Sequence, residues 1–185
     1  DKNRVYASFD DVEETPDVII DFSSPAVLKK ELEWAVKRNL PVVLAATGYA
    51  EADEELINAA AEKIPVFRTG NFSLGINLLV KLVKRAAEVL GENFDIEIIE
   101  RHHNQKVDAP SGTALMLADG ARSAFDDDKP YLKGRDGIVG KRGNEIGIHA
   151  VRGGTIVGEH EVMFAGDDEI ITLAHSARSK RVFAA

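Results

Sequence analysis

Residues 17–48 read DVIIDFSSPAVLKKELEWAVKRNLPVVLAATG, and this stretch decides the fold class. Asp17–Phe22 is a short β-branched apolar run, the composition of a strand. Ser23 and Ser24 follow, then Pro25; serine at a cap and proline in the first turn are start signals for a helix. The residues up to Asn39 have amphipathic spacing, and Pro41–Ala46 (PVVLAA) returns to strand composition before Thr47-Gly48. Two strands of one sheet joined through a helix pair in parallel, because the chain must cross back over the sheet.

The pattern recurs outward from there. A helix is expected from about Ala50 to Lys63, a strand over Pro65–Arg68 ending at Thr69-Gly70-Asn71, and a long apolar-periodic helix from Leu74 to Gly91. Beyond it the chain reads differently. Phe94–His103 alternates as a strand, and Ser111–Phe125 has helical spacing. Residues 126–143, polar, charged and glycine-containing, read as a long, mobile loop. Three strand-like runs follow, Glu145–Arg152, Val157–Phe164 and Glu169–His175, with Gly153-Gly154 and Gly166-Asp167-Asp168 as turns. Strands in such succession suggest antiparallel or mixed pairing. The expected architecture is an α/β unit with a partial Rossmann-like parallel sheet, then an α+β unit with a mixed sheet, the boundary lying near Asn71–Leu74.

Bulk properties narrow the function classes. The 185 residues carry a net charge of −8, which argues against nucleic acid or an anionic membrane as the main partner, since both need a basic face. A hydrophobic fraction of 44% and a charged fraction of 29% are those of a globular protein. With no cysteine, disulfides, thiolate catalysis and cysteine-bound zinc are excluded, and a reducing cytoplasm fits. No apolar run approaches the roughly 20 residues of a membrane span.

Residues 100–114, ERHHNQKVDAPSGTA, hold the sharpest chemistry. A strand ends at His102-His103, Lys106 sits in the loop after it, Asp108-Ala109-Pro110 turns the chain, and Ser111 stands where a helix N-cap belongs. The backbone N–H groups of Gly112 and Thr113 then have no intrahelical acceptors, and glycine permits close approach, so the helix start suits an anion. Two imidazoles and an ammonium converge there, which points to a small carboxylate or phosphate that undergoes proton transfer. A second constellation is formed by the strand ends of the first half: Phe22, Ala45-Ala46-Thr47 and Thr69-Gly70-Asn71-Phe72. In open α/β sheets ligands bind outside the carboxyl ends of the strands, where small residues let them reach the backbone.

The 100–114 stretch resembles the signature of dihydrodipicolinate reductases, E-x-H-H-x-x-K-x-D-A-P-S-G-T-A, at every fixed position, and the similarity extends through Asp21-Phe22-Ser23, Asn71-Phe72-Ser73 and Gly158-Glu159-His160. The resemblance implies an NADH- or NADPH-dependent reduction of a cyclic unsaturated dicarboxylate, dihydrodipicolinate, to tetrahydrodipicolinate in the diaminopimelate route to lysine. It implies His102 and Lys106 as proton-transferring residues, and His103, Ser111, Gly112 and Thr113 as holding the substrate. It further implies Phe22, Ala45, Ala46, Thr47, Thr69, Gly70, Asn71 and Phe72 as cofactor contacts, with no metal. Residues 1–73 and 178–185 would form a partial dinucleotide-binding domain, and residues 74–177 a substrate-binding domain through which a homotetramer assembles. The family often has Gly-Thr-Thr where this chain has Ala45-Ala46-Thr47, which leaves hydrogen bonding by the first two side chains open. No Gly-rich turn precedes Asp17, and the chain starts at Asp1, so the nucleotide-binding N-terminus is expected to be missing and turnover by this chain to be low; the preference for NADH or NADPH is unreadable.

Other features read more plainly. Asp126-Asp127-Asp128 is a solvated loop without the alternation of a calcium site. Arg178, Lys180 and Arg181 read as a solvated helix start, Arg152 as a turn residue within reach of an anion, and His149, His160 and His175 as structural or interfacial strand residues.

Overall fold

In the computed structural model, which describes residues 4–183, backbone contacts divide the chain into two units, Asp1–Gly70 and Asn71–Ala185. The division falls after Gly70, and residues 178–183 group with the second unit.

Three short strands, Ile19–Asp21 (β1), Val42–Leu44 (β2) and Val66–Arg68 (β3), pair in parallel in the order β1-β2-β3. Asp21, Leu44 and Arg68 lie in one row, so the three carboxyl ends are level. Helices Leu28–Arg38 (α1) and Glu51–Ala61 (α2) bury Leu28, Leu32, Ala35, Ile57 and Ala60 with Val42, Leu44 and Ile64. α1 stops at Asn39, whose left-handed backbone (φ 54°) lets its N–H close on the Ala35 and Val36 carbonyls. The start of α1 differs from the sequence expectation. Pro25 opens a 3-10 turn, Pro25–Val27, and the α-helix begins at Leu28. Ser23 does not cap it, because its N–H and hydroxyl both donate to Asp21 Oδ1, at 2.7 and 2.5 Å.

The second unit is built on a mixed sheet ordered β5-β6-β4-β7-β8: Tyr131–Lys133 (β5), Ile146–Arg152 (β6), Asp95–His102 (β4), Glu159–Ala165 (β7) and Ile170–Ser176 (β8). β4 runs parallel to β6 and antiparallel to β7. Consecutive β6 and β7 therefore do not pair; β4 lies between them. Helices Leu74–Leu90 (α3) and Gly112–Arg122 (α4) cover one face, where Val83, Ala87, Leu117 and Ala121 meet Ile96, Ile98, Ile146, Ile148, Val162 and Phe164. A fully buried Phe164 alone contributes about 2–3 kcal/mol of burial.

The expected long loop over 126–143 contains β5, which is only three residues long and too short to leave an alternating signature. The rest of the loop is tied down. Arg135 donates to Glu97 and Glu145, and Arg142 to Asp95, Glu97 and the carbonyls of Ile96 and Glu145. Residues 180–183 form a 3-10 turn in place of the expected helix start.

Candidate active site

Strand alternation turns the even-numbered residues of β4 toward the helices, so the row Ile96, Ile98, Glu100, His102 is buried and ends in a carboxylate and an imidazole. A carboxylate with 0% exposure requires partners. Glu100 accepts four N–H groups: Arg152 Nη1 and Nη2 at 2.7 Å each, Ser111 N at 3.0 Å and His102 Nδ1 at 2.5 Å. Burial by itself would raise its pKa, but the bonds from Arg152, His102 and Ser111 outweigh burial and hold it below the usual carboxylate value. An ionised Glu100 can only accept, so His102 carries a proton on Nδ1. His102 is 8% exposed, and burial depresses its pKa despite the opposing pull of Glu100. Its Nε2 is the ring nitrogen left to exchange a proton, and the missing side chain of Gly158 makes room for it: a Cβ there would stand 3.1 Å from Nε2.

The start of α4 closes against this strand end. Ser111 Oγ caps the helix, accepting from Ala114 N at 3.2 Å, and lies 3.1 Å from His160 Nε2. Ser111 is 2% exposed, and its N–H and hydroxyl are engaged inside the protein. Gly112 and Thr113, the first two residues of α4, keep backbone N–H groups without acceptors in the helix. The Thr113 hydroxyl accepts from Asn71 Nδ2 at 2.8 Å, and Asn71 Oδ1 accepts from Ser73 N at 2.8 Å, just before Ser73 caps α3. Asn71, expected among cofactor contacts, is thereby joined to Thr113, expected among substrate contacts.

Lys106 stands on the loop between β4 and α4. Its Nζ donates to Asp108 Oδ1 at 2.7 Å. Burial works to raise the Asp108 pKa, but Lys106 overrides it and holds the carboxyl below its usual value. The loop is braced from the β6–β7 turn: Arg152 Nη2 donates to the Asp108 carbonyl at 2.7 Å, Gly153 N to the His102 carbonyl at 2.9 Å, and Asn104 N to the Gly154 carbonyl at 3.2 Å. His103 is half-buried at the mouth of the same loop, and the Ala109–Pro110 peptide bond is cis.

Two members of this cluster were read as bland in the sequence. His160 pairs across the sheet with Glu100, is 4% exposed, and sets its ring edge-on to His102 with centroids 5.1 Å apart. Burial, with the neighbouring His102, pushes its pKa down to about 4. Its Nδ1 has no hydrogen-bond partner among the described residues. Arg152, read as a turn residue, spends both Nη groups on Glu100, the Val151 carbonyl and the Asp108 carbonyl. The signal for His160 was its alternation with Val162 and Phe164, which turns it inward; what it meets there depends on the β4–β7 pairing.

In the first unit, Phe22, Ala45, Ala46, Thr47, Thr69 and Gly70 all follow the level carboxyl ends of β1, β2 and β3. Phe22 is 57% exposed, Ala46 is buried, and Ala45 N donates to the Asp21 carbonyl at 2.8 Å. Asn71 and Phe72 open the second unit. Among the described residues no group of three or more His, Cys, Asp or Glu could hold a metal, and no helix is long and apolar enough to cross a membrane.

Residues 2–72 match the family described as dihydrodipicolinate reductase, N-terminus, and residues 75–185 the family described as dihydrodipicolinate reductase, C-terminus. A 4-hydroxy-tetrahydrodipicolinate reductase from Caldanaerobacter subterraneus subsp. tengcongensis is 53% identical over 97% of this chain and 71% of its own length. The same-named protein of Clostridium novyi is 49% identical over 100% of this chain and 74% of its own. The solved dipicolinate-bound dihydrodipicolinate reductase from Paenisporosarcina sp. TG-14 superposes with a TM-score of 0.65 at 28% identity, over 91% of this chain and 64% of that one. With both family models matched end to end along it, and with relatives at about half identity, this chain belongs to the dihydrodipicolinate reductase family.

Proposed function

We propose that this chain carries out the reaction for which its relatives are named, the nicotinamide-dependent reduction of dihydrodipicolinate, formed from 4-hydroxy-tetrahydrodipicolinate, to tetrahydrodipicolinate in the diaminopimelate route to lysine. The observation that carries the reading is the junction of β4 and α4. A helix start with two unspent backbone N–H groups, the Lys106 ammonium and the half-buried His103 surround a strand end whose His102 is fixed with Nε2 available. Such a site attracts a carboxylate and offers protons beside it.

Phe22, Ala45, Ala46, Thr47, Thr69, Gly70, Asn71 and Phe72 are the residues proposed to meet the nicotinamide of NADH or NADPH. The level strand ends and the small Ala45-Ala46 pair fit a flat ring approaching the backbone. A bound dihydronicotinamide supplies the hydride. The chain's own task is then to hold the dicarboxylate on Gly112, Thr113 and His103 and to deliver one proton to the electron-rich carbon that hydride addition leaves behind. Lys106 Nζ is the proposed donor, with His102 Nε2 assisting. Ser111 acts from beneath, holding Gly112 and Thr113 through its cap.

A homotetramer assembling through the second unit, in the cytoplasm, completes the reading. It is supported by the sheet face away from α3 and α4, where Ile99, Val151 and Met163 lie among charged residues and Val151 is 44% exposed. The test is oxidation of NADH and of NADPH by the chain in the presence of enzymatically generated substrate. Oxidation that depends on substrate and is blocked by pyridine-2,6-dicarboxylate is expected. A folded sample that binds the dicarboxylate without Lys106, Gly112 or Thr113 responding would overturn the site.

A further inference from the structure

The buried carboxylate of Glu100 sits behind the site, outside the residues assigned to substrate or cofactor, yet it bonds to the end of β4, the cap of α4 and Arg152 of β6. Its Oε2 accepts from His102 Nδ1 at 2.5 Å and from Arg152 Nη1 at 2.7 Å. Its Oε1 accepts from Ser111 N at 3.0 Å and from Arg152 Nη2 at 2.7 Å. Arg152 passes the restraint on, because the same Nη2 donates to the Asp108 carbonyl at 2.7 Å, and Asp108 receives the Lys106 ammonium. One carboxylate thus fixes the ring of His102, the first residue of the α4 cap, and the loop that carries Lys106.

We infer that Glu100 is the positioning residue of the proton machinery: it locks His102 as the Nδ1–H tautomer, so that Nε2 alone exchanges protons, and through Arg152 it sets the loop bearing Lys106. The inference rests on the reading of His102 and Lys106 as proton-transferring groups. Geometry carries it. With 0% exposure and every oxygen accepting, Glu100 cannot reach substrate, whereas a neutral amide in its place would turn an N–H toward Arg152, Ser111 or His102 and leave one of them unpaired. A histidine whose tautomer is released spends part of its time presenting N–H where an acceptor is needed, and loss of such orienting partners costs about 10–100-fold or more.

The experiment compares Glu100→Gln, Glu100→Asp and His102→Asn with the unsubstituted protein in kcat, KM and their pH profiles, alongside the imidazole nitrogen-15 spectrum of the unsubstituted protein, with His102 assigned by its disappearance in His102→Asn. Glu100→Gln should lower kcat by about 10²-fold with little change in KM, and should move the His102-dependent limb of the profile to lower pH, since the anion that supports the imidazolium is gone. Glu100→Asp, which keeps the charge, should recover part of the rate. The nitrogen spectrum should show His102 as the Nδ1–H tautomer, a measurement that stands even if Glu100→Gln does not fold. An Nε2–H tautomer, or a Glu100→Gln enzyme with normal rate and an unmoved profile, overturns the inference. A His102→Asn enzyme with normal rate and profile instead removes His102 from the mechanism, which is the failure of the underlying reading and not of the tautomer assignment.

Discussion

Lowering the pH from 7.5 to 4 should cost the second unit about 3 kcal/mol of stability through His160, and replacing that residue should remove that part of the loss. The folded protein keeps His160 neutral: the ring is 4% exposed, Nε2 is against Ser111 Oγ, Nδ1 has no partner among the described residues, and His102 lies 5.1 Å away. Burial pushes its pKa from the ordinary 6.5 down to about 4. A folded pKa below the unfolded one means the unfolded chain binds more protons between the two values, so stability is full above pH 6.5 and drains as pH falls toward 4. At about 1.4 kcal/mol per decade, the depression is worth about 3 kcal/mol, a large share of a typical domain's stability. His102 drains stability in the same direction, because burial lowers its pKa too. The His160 contribution is therefore isolated as the difference between the protein and its His160→Gln variant, whose amide nitrogen can still reach Ser111. Urea unfolding monitored at half-unit steps from pH 4 to 7.5 should show that difference shrinking by about 3 kcal/mol toward acid. A difference independent of pH across that range, or a His160 that titrates near 6.5 by nuclear magnetic resonance, would show that burial of His160 does not make the fold acid-sensitive.

Lys106→Ala should lower kcat by about 10²–10⁴-fold while leaving thermal unfolding nearly unchanged, since its partner Asp108 is exposed; steady-state kinetics and circular dichroism check both halves. Glu31 is 1% exposed, and burial, reinforced by Asp21, raises its pKa to about 7. A raised carboxyl pKa stabilises below about 4.5 and loses that contribution as pH rises to 7, so Glu31→Gln should gain up to about 3 kcal/mol over the unsubstituted protein between those values, measured by urea unfolding of the first unit. Phe164→Ala, at a position with 0% exposure, should destabilise the second unit by about 3–5 kcal/mol in the same assay.

The elements legible in the sequence were those with a complete local signature. α3 has seventeen residues of unbroken apolar period and a serine cap, so its extent was read to within a residue. The parallel pairing of β1, β2 and β3 followed from the helices between them. Helix α1 began three residues later than its proline suggested, because Asp21 captures Ser23 before it can cap. The order of the second sheet was hidden: the tight turns around β6, β7 and β8 invite pairing of neighbours, yet β4, supplied from far upstream, separates β6 from β7. The same non-local pairing hid half of the site. His102, His103, Lys106, Gly112 and Thr113 are consecutive features of one strand, loop and helix start, and so were visible together. His160 and Arg152 reach Glu100 only because β7 and β6 flank β4 on opposite sides, a fact no local pattern contains.

The junction of β4 and α4 should bind a dicarboxylate. The most direct measurement is titration of pyridine-2,6-dicarboxylate into nitrogen-15-labelled protein, following every backbone amide. Saturable shifts should be largest at Gly112 and Thr113, with smaller ones over residues 102–108, and should be lost in a Lys106→Ala, Thr113→Val double variant. Saturable binding with the largest shifts elsewhere, or no shift at Gly112 and Thr113 in a folded sample, would contradict it.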